Sequence, residues 1–362
     1  MSDRPTIAIS MGDPAGIGAE VIVKALSDPS LRRRARFIIY GLNEILNYAA
    51  DLAELDVFWW RDSFNGKLKH YGHDVVVVDY DDFAEFSLLG NTIRGPSKIG
   101  GQASMKFCLD AIDSCKQGIA DALVTAPIAK ESWHLADYRY PGHTELLAER
   151  TQARQHAMMF AGGPLKVILA TTHIPLMGLW GRLNIGAVFH PIEMVHKALV
   201  EWFDIEKPRI AVCGLNPHAS ENGAFGDEEE RIISPAILMA REQGIDATGP
   251  YPPDTIFLAA RDGKFDAVVA LYHDQGLIPV KLLAFDKAVN LTVGLPIIRT
   301  SPDHGTAFDI VARNRANPGS MHAAIEMAID LAIKRKQHAA KPHGESKDLS
   351  SGGASASSSQ DS

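Results

Sequence analysis

Residues 167–176 read VILATTHIPL, residues 210–220 read IAVCGLNPHAS and residues 267–276 read AVVALYHDQG. In each stretch a short apolar, β-rich run ends and a histidine follows: His173, His218 and His273. Runs of this kind are buried strands of a mostly parallel sheet. The ends of such strands are where α/β folds place their chemistry. Imidazole is the commonest protein metal ligand, and three of them leave coordination positions open for a substrate. The histidines are 45 and 55 residues apart, so only the fold, not a local knuckle, can gather them. Any one of them alone is explained by a hydrogen-bonded buried ring; three at equivalent strand ends point to a divalent metal. Asp274, beside His273, is placed to orient that imidazole.

Working outward, the chain alternates strand-like and helix-like patterns. TIAIS precedes AEVIVKAL, RFIIYG precedes NEILNYAADL, and DVVVVDY, MKFCLDAIDSCKQG and DALVTAP follow in turn. Beyond VILATT come PIEMVHKALVEWF, RIAVCGLNP and EEERIISPAILMAREQG. DAVVALYHDQG and AVNLTVGLPIIRTS read as sheet, and FDIVARNRA and MHAAIEMAIDLAIKRK as helices by period. The order implies βα units, an α/β fold and a largely parallel sheet. No fixed-period repeat is present.

The chain has 362 residues, 46% of them hydrophobic, which suits one large or two moderate globular domains. A formal net charge of −8 argues against a nucleic-acid partner. No apolar run reaches the roughly 18–20 residues of a membrane span. The opening MSDRPTIAIS lacks the pattern of a signal peptide, and three cysteines, Cys108, Cys115 and Cys213, suit a reducing cytoplasm. Serine and glycine dominate the end of the chain, which reads as a disordered tail over 336–362.

Three further segments carry candidate chemistry. Ser10–Gly18 (SMGDPAGIG) joins a strand to a helix; its glycines suit an anion, although an ordinary turn explains them better. Lys281, Asn290 and Arg299, with His143 and Thr144 in PGHTELLAER, form a set able to hold a phosphate or carboxylate, or else are surface charges. Residues 303–310, DHGTAFDI, place His304, Gly305 and Thr306 in a turn suited to a ligand or to capping a helix. Asp254 in GPYPPDTIF is either near the metal or a turn residue. His70, His73, His134, His156, His196 and His338 read as surface or structural.

With SMGDPAGIGAE, VTAPIAK, GHTELLAERT, ATTHIPL, CGLNPHASENGAFGDEE, GPYPPDTIF, the run 272–301 and DHGTAFDI all in order, the chain resembles the 4-hydroxythreonine-4-phosphate dehydrogenase family of vitamin B6 biosynthesis from about Thr6 to about Ile333. The resemblance implies an isocitrate/isopropylmalate dehydrogenase-like fold of two α/β domains with a central cleft. The expected domains are 1–130 plus 305–335, on the cofactor side, and 131–304, with metal, substrate and dimer contacts. It implies NAD or NADP and one divalent metal per site (zinc, cobalt, magnesium or manganese), held by His173, His218 and His273. It implies substrate contacts at His143, Thr144, Lys281, Asn290 and Arg299, and an adenosine-binding turn at His304, Gly305 and Thr306. Lys281 and Asp274 are the candidate proton acceptors. Family members are homodimers whose active site takes residues from both subunits.

The expected reaction is oxidation of 4-(phosphooxy)-L-threonine to a β-keto acid that decarboxylates to 3-amino-2-oxopropyl phosphate. Related dehydrogenases acting on erythronate or threonate 4-phosphate, or on a carboxylated cis-dihydrodiol, are the near alternatives. A metallohydrolase, which needs no dinucleotide, an acyl-transferring relative and a non-catalytic binding protein are the distant ones.

Overall fold

The computed structural model describes residues 4–83 and 94–340. Among the described residues twelve strands form one sheet in the order β3-β4-β2-β1-β5-β12-β11-β6-β7-β10-β8-β9. In chain order these are β1 Thr6–Ser10, β2 Arg36–Gly41, β3 Trp60–Ser63, β4 Val75–Asp79, β5 Ala122–Thr125 and β6 Ala157–Gly162. Then follow β7 Leu165–Leu169, β8 Ile210–Cys213, β9 Ala247–Tyr251, β10 Ala267–Ala270, β11 Val289–Val293 and β12 Ile298–Pro302. β4 reads VVVVD and is buried at every position, as a strand covered on both faces by helices must be.

Both ends of the sheet are parallel, and the antiparallel pairings β12/β11, β11/β6 and β6/β7 join them. β12 therefore sits at the centre, parallel to β5 on one side and antiparallel to β11 on the other. The antiparallel insert was not visible as such, because AMMFAG alternates too weakly to stand out from its neighbours. The last helix, Gly319–Ala340, packs on β12, β5 and the helix Gly18–Leu26.

Three local readings are corrected. YHDQG does not continue β10; His273–Ala284 is a helix despite Gly276 and Pro279, residues that read as breakers. Gly276 is there because the helix lies directly on the sheet: a Cβ would stand 2.7 Å from Leu169 Cδ2. FDIVARNRA is a single 3-10 turn, Phe308–Ile310, after which Ala312 and Asn314 take positive φ. Residues 336–340, assigned to the tail, extend the last helix, where alanines favour it and Lys336 pairs with Asp121 at 2.9 Å. The rest of the expected tail lies outside the described residues.

The glycine-rich segment approaches protein rather than an open cleft. A Cβ on Gly12 (φ +78°) would lie 2.2 Å from the Pro127 carbonyl, and one on Gly16 would lie 3.0 Å from Thr306 Cβ. Ile17 N donates to Thr306 O at 3.0 Å. Asp13 is buried, accepting from Ser132 Oγ at 2.6 Å and Ala15 N at 3.0 Å. Burial raises its carboxyl above the usual range. This loop is a brace beneath residues 303–310.

Candidate active site

A cleft of about 1080 Å³ opens over the centre of the sheet. His143, Thr144, His173, Asn290, Arg299, His304 and Gly305 all line it. These come from five separate segments, so the sheet topology brings them together. His218, His273, Asp274, Lys281 and Thr306 do not line it.

Arg299 is the second residue of β12 and only 3% exposed. Its Nε and one terminal nitrogen donate to Thr125 Oγ1 (3.1 and 2.7 Å), and the other donates to Thr292 Oγ1 at 3.2 Å. One hydroxyl thus comes from each neighbouring strand, β5 and β11. No carboxylate pairs with it among the described residues. Burial pushes its pKa down to about 10, against weaker opposing influences of Cys108 and Glu145. A guanidinium has five N–H donors, so three bonds leave two N–H groups free.

Around it lie polar atoms without partners. His143 Nε2, Asn290 Oδ1 and His304 Nε2 are buried and make no hydrogen bond. Buried polar atoms are normally satisfied, so three such atoms around one cleft mark a place where a ligand completes them. His143 begins the helix His143–Thr151, its ring edge-on to Trp133 at 5.5 Å. Burial, then Arg299 and Lys130, hold its imidazole well below the ordinary histidine value, so it is neutral at pH 7.

Three adjacent parallel strands, β7, β10 and β8, end at one edge of the sheet. His173, His273 and His218 follow their last residues, Leu169, Ala270 and Cys213, by four, three and five positions. The rings of His173 and His273 have centroids 5.8 Å apart. Two imidazoles sharing a tetrahedral ion would have centroids roughly 5 Å apart, close to this spacing. Burial, then Lys130 and His273, lower the His173 pKa, which favours the neutral ligand form. His273 Nδ1 shares a 2.7 Å hydrogen bond with Asp274 Oδ1. His218 lies in a left-handed run, residues 218–222, and its ring neighbours Phe225. Among the described residues, no three His, Cys, Asp or Glu side chains converge as a ligand set within one chain.

Lys281, on the helix His273–Ala284, does not line the cleft itself but pairs at 2.9 Å with Oδ2 of Asp303, which does. Thr306 is spent on the brace with Gly16 and Ile17. Asp254 is exposed in a turn. Lys130, which starts the helix Lys130–Leu135, lines the cleft and bears on both His143 and His173. The signal for it was its place in the VTAPIAK motif, five residues past the end of β5. Arg154, Arg182 and His190 also line the cleft, as does His156, which was set aside as surface or structural. All three cysteines are free and buried, and burial raises their thiols.

This geometry has close counterparts. A 4-hydroxythreonine-4-phosphate dehydrogenase of Desulforapulum autotrophicum is 46% identical over 328 residues, covering 90% of this chain and 95% of the relative. A D-threonate 4-phosphate dehydrogenase of Salmonella typhimurium is 42% identical, covering 91% of this chain and all of the relative. The crystal structure of 4-hydroxythreonine-4-phosphate dehydrogenase from Klebsiella pneumoniae superposes with a TM-score of 0.79 at 39% identity, covering 91% of this chain and 99% of that one. The chain is thus a dehydrogenase of mixed α/β architecture. More narrowly, residues 33–328 match the family described as pyridoxal phosphate biosynthetic protein PdxA, and the chain belongs to that family. No described helix is long and apolar enough to cross a membrane.

Proposed function

We propose that this chain oxidises 4-(phosphooxy)-L-threonine with NAD or NADP, giving a β-keto acid that loses carbon dioxide to leave 3-amino-2-oxopropyl phosphate, in pyridoxal 5'-phosphate biosynthesis. The observation that carries this reading is Arg299: a buried guanidinium facing a cleft, without a carboxylate and with two N–H groups to spare. Such a charge calls for a bound anion, and two parallel N–H groups suit a phosphate. Asn290, His143 and Thr144 orient the rest of the substrate through atoms that have no other partner or face the cleft. His304 and Gly305 border the cofactor side, with Thr306 bracing that turn from beneath.

His173, His273 and His218 are the residues that would hold one divalent cation, whether zinc, cobalt, magnesium or manganese. Bound there, such an ion supplies Lewis-acid pull on the substrate hydroxyl. Lys281 and Asp274 are the candidate groups for holding the departing proton.

The site is completed by a second copy of the chain. Each histidine-bearing segment also carries exposed apolar side chains: Leu176, Met177 and Trp180 after His173, Phe225 after His218, and Ile278, Leu282 and Phe285 in or after the helix begun by His273. Met177 is 92% exposed and Leu282 81%. An uncovered apolar face of that extent marks an interface. It also accounts for His218, Asp274 and Lys281 lying outside the cleft of their own chain. The family's chemistry and the three buried thiols suit the cytoplasm.

D-threonate 4-phosphate is the second reading, favoured by the relative from Salmonella typhimurium at nearly equal identity. It shares the phosphate that Arg299 would hold and differs at the amino group. Steady-state NADH formation with each phosphorylated acid decides between them. The hydroxythreonine reading requires the higher kcat/KM with 4-(phosphooxy)-L-threonine; a preference of tenfold or more for the threonate overturns it.

A further inference from the structure

The sheet ladder ends before the histidines begin. β7 and β10 pair last at Leu169 and Ala270, and β10 and β8 at Val269 and Val212. Beyond that edge, buried side chains take over. Gln275 Oε1 accepts from Leu271 N at 2.6 Å, and its Nε2 donates to Gly214 O at 2.9 Å. One amide thus ties the segment carrying His273 to the segment carrying His218. Thr171 Oγ1 donates to Leu271 O at 2.7 Å, tying the His173 segment to the same point. On the far side Glu229 Oε1 accepts from Leu215 N and Asn216 N at 2.8 and 2.7 Å, and Asn216 Nδ2 donates to Glu229 Oε2 at 2.9 Å and Glu228 Oε2 at 2.7 Å. Gln275 and Glu229 are both buried.

Thr171 is two residues before His173, Gln275 two after His273, and Asn216 two before His218. The clamp therefore lies one short step from every imidazole. It also secures a stretch that is costly to hold, since His218, Ala219, Ser220, Glu221 and Asn222 all take positive φ. Strained backbone of this kind persists only where its surroundings over-determine it.

We propose that Gln275 is a positioning residue, which together with Thr171 and Glu229 fixes the backbone from which each of the three histidines projects before a cation arrives. This rests on the reading that the histidines hold a divalent metal. Partners behind metal-binding imidazoles typically change affinity 10–100-fold when removed.

The test is titration of the purified full-length protein with cobalt(II), followed by its visible absorption, for wild type, Gln275→Met and Thr171→Val. Thr171→Val is nearly isosteric and keeps the test alive if Gln275→Met folds poorly. Thr300→Val serves as control, because it removes a buried side-chain bond to Ala324 O of 2.8 Å away from the histidines. Cobalt should bind each clamp variant about 10–100-fold more weakly, with kcat recovering at saturating cobalt. Thr300→Val should lower thermal stability without moving cobalt affinity. Clamp variants that bind cobalt within twofold of wild type, or a control that weakens it equally, overturn the positioning role alone. A wild-type protein that takes up no cobalt overturns the metal reading and this inference with it.

Discussion

Replacing Arg299 with methionine separates binding from folding. Holding a guanidinium at about 10 instead of 12.5 costs the folded, ligand-free protein about 3 kcal/mol at neutral pH. The sign follows from burial: the charged form is the disfavoured one, and it is the form present at pH 7. Methionine removes that cost and forfeits three bonds to threonine hydroxyls, each worth about 1 kcal/mol. The two roughly cancel, so the ligand-free variant should unfold in urea within about 1 kcal/mol of wild type. Substrate binding should not be spared. Two charge-assisted bonds from the free N–H groups are worth about 1.5–3 kcal/mol each. Their loss raises the dissociation constant for the phosphorylated acid by roughly a hundred- to twenty-thousand-fold, read by calorimetry. A variant that unfolds more than 3 kcal/mol too easily yet binds the phosphorylated acid normally would show that Arg299 only joins strands.

Four other perturbations follow. His143 is held neutral in the folded protein but takes up a proton below about 6.5 when unfolded; its contribution is intact above that pH and lost as pH falls, by about 1.4 kcal/mol per unit, and urea midpoints at pH 7 and 5.5 that do not differ would contradict it. Lys130→Met should raise the pKa of both His143 and His173, seen by NMR titration of the imidazoles; unmoved values would place Lys130's charge elsewhere. Gly101→Ala drives a Cβ to 1.9 Å from the Ser132 carbonyl, forcing the helices Lys98–Lys116 and Lys130–Leu135 apart; about 1–3 kcal/mol should be lost in urea unfolding, and an unchanged midpoint would show that the contact yields freely. Mixing inactive His173→Ala and His218→Ala proteins under subunit exchange should restore up to about a quarter of wild-type turnover if each site draws on two chains, whereas ligands held within one chain give none.

The parallel ends of the sheet were legible because β1, β2, β4, β5, β8 and β10 are short, uniformly apolar runs between turn residues. β6 and β11 were harder, since their antiparallel partners are set by the centre of the sheet and not by local pattern. The helix His273–Ala284 was hidden by Gly276 and Pro279, whose presence is decided by tight packing on β7 and by tertiary support. In the cleft, His143, Asn290 and Arg299 were readable from motif, and their burial and missing partners were not. Lys130 was passed over because a lysine beside Glu131 at a helix start looks like a solvated charge. The clamp through Gln275 is illegible in any sequence: its partners are backbone groups 4 and 61 residues away.

The most direct measurement follows NADH absorbance and evolved carbon dioxide together when wild-type protein meets 4-(phosphooxy)-L-threonine, NAD and a divalent metal. The predicted result is one carbon dioxide per NADH, with both lost in Arg299→Met. Metal-loaded, folded protein that forms no NADH with this or any other phosphorylated four-carbon acid would contradict the assignment.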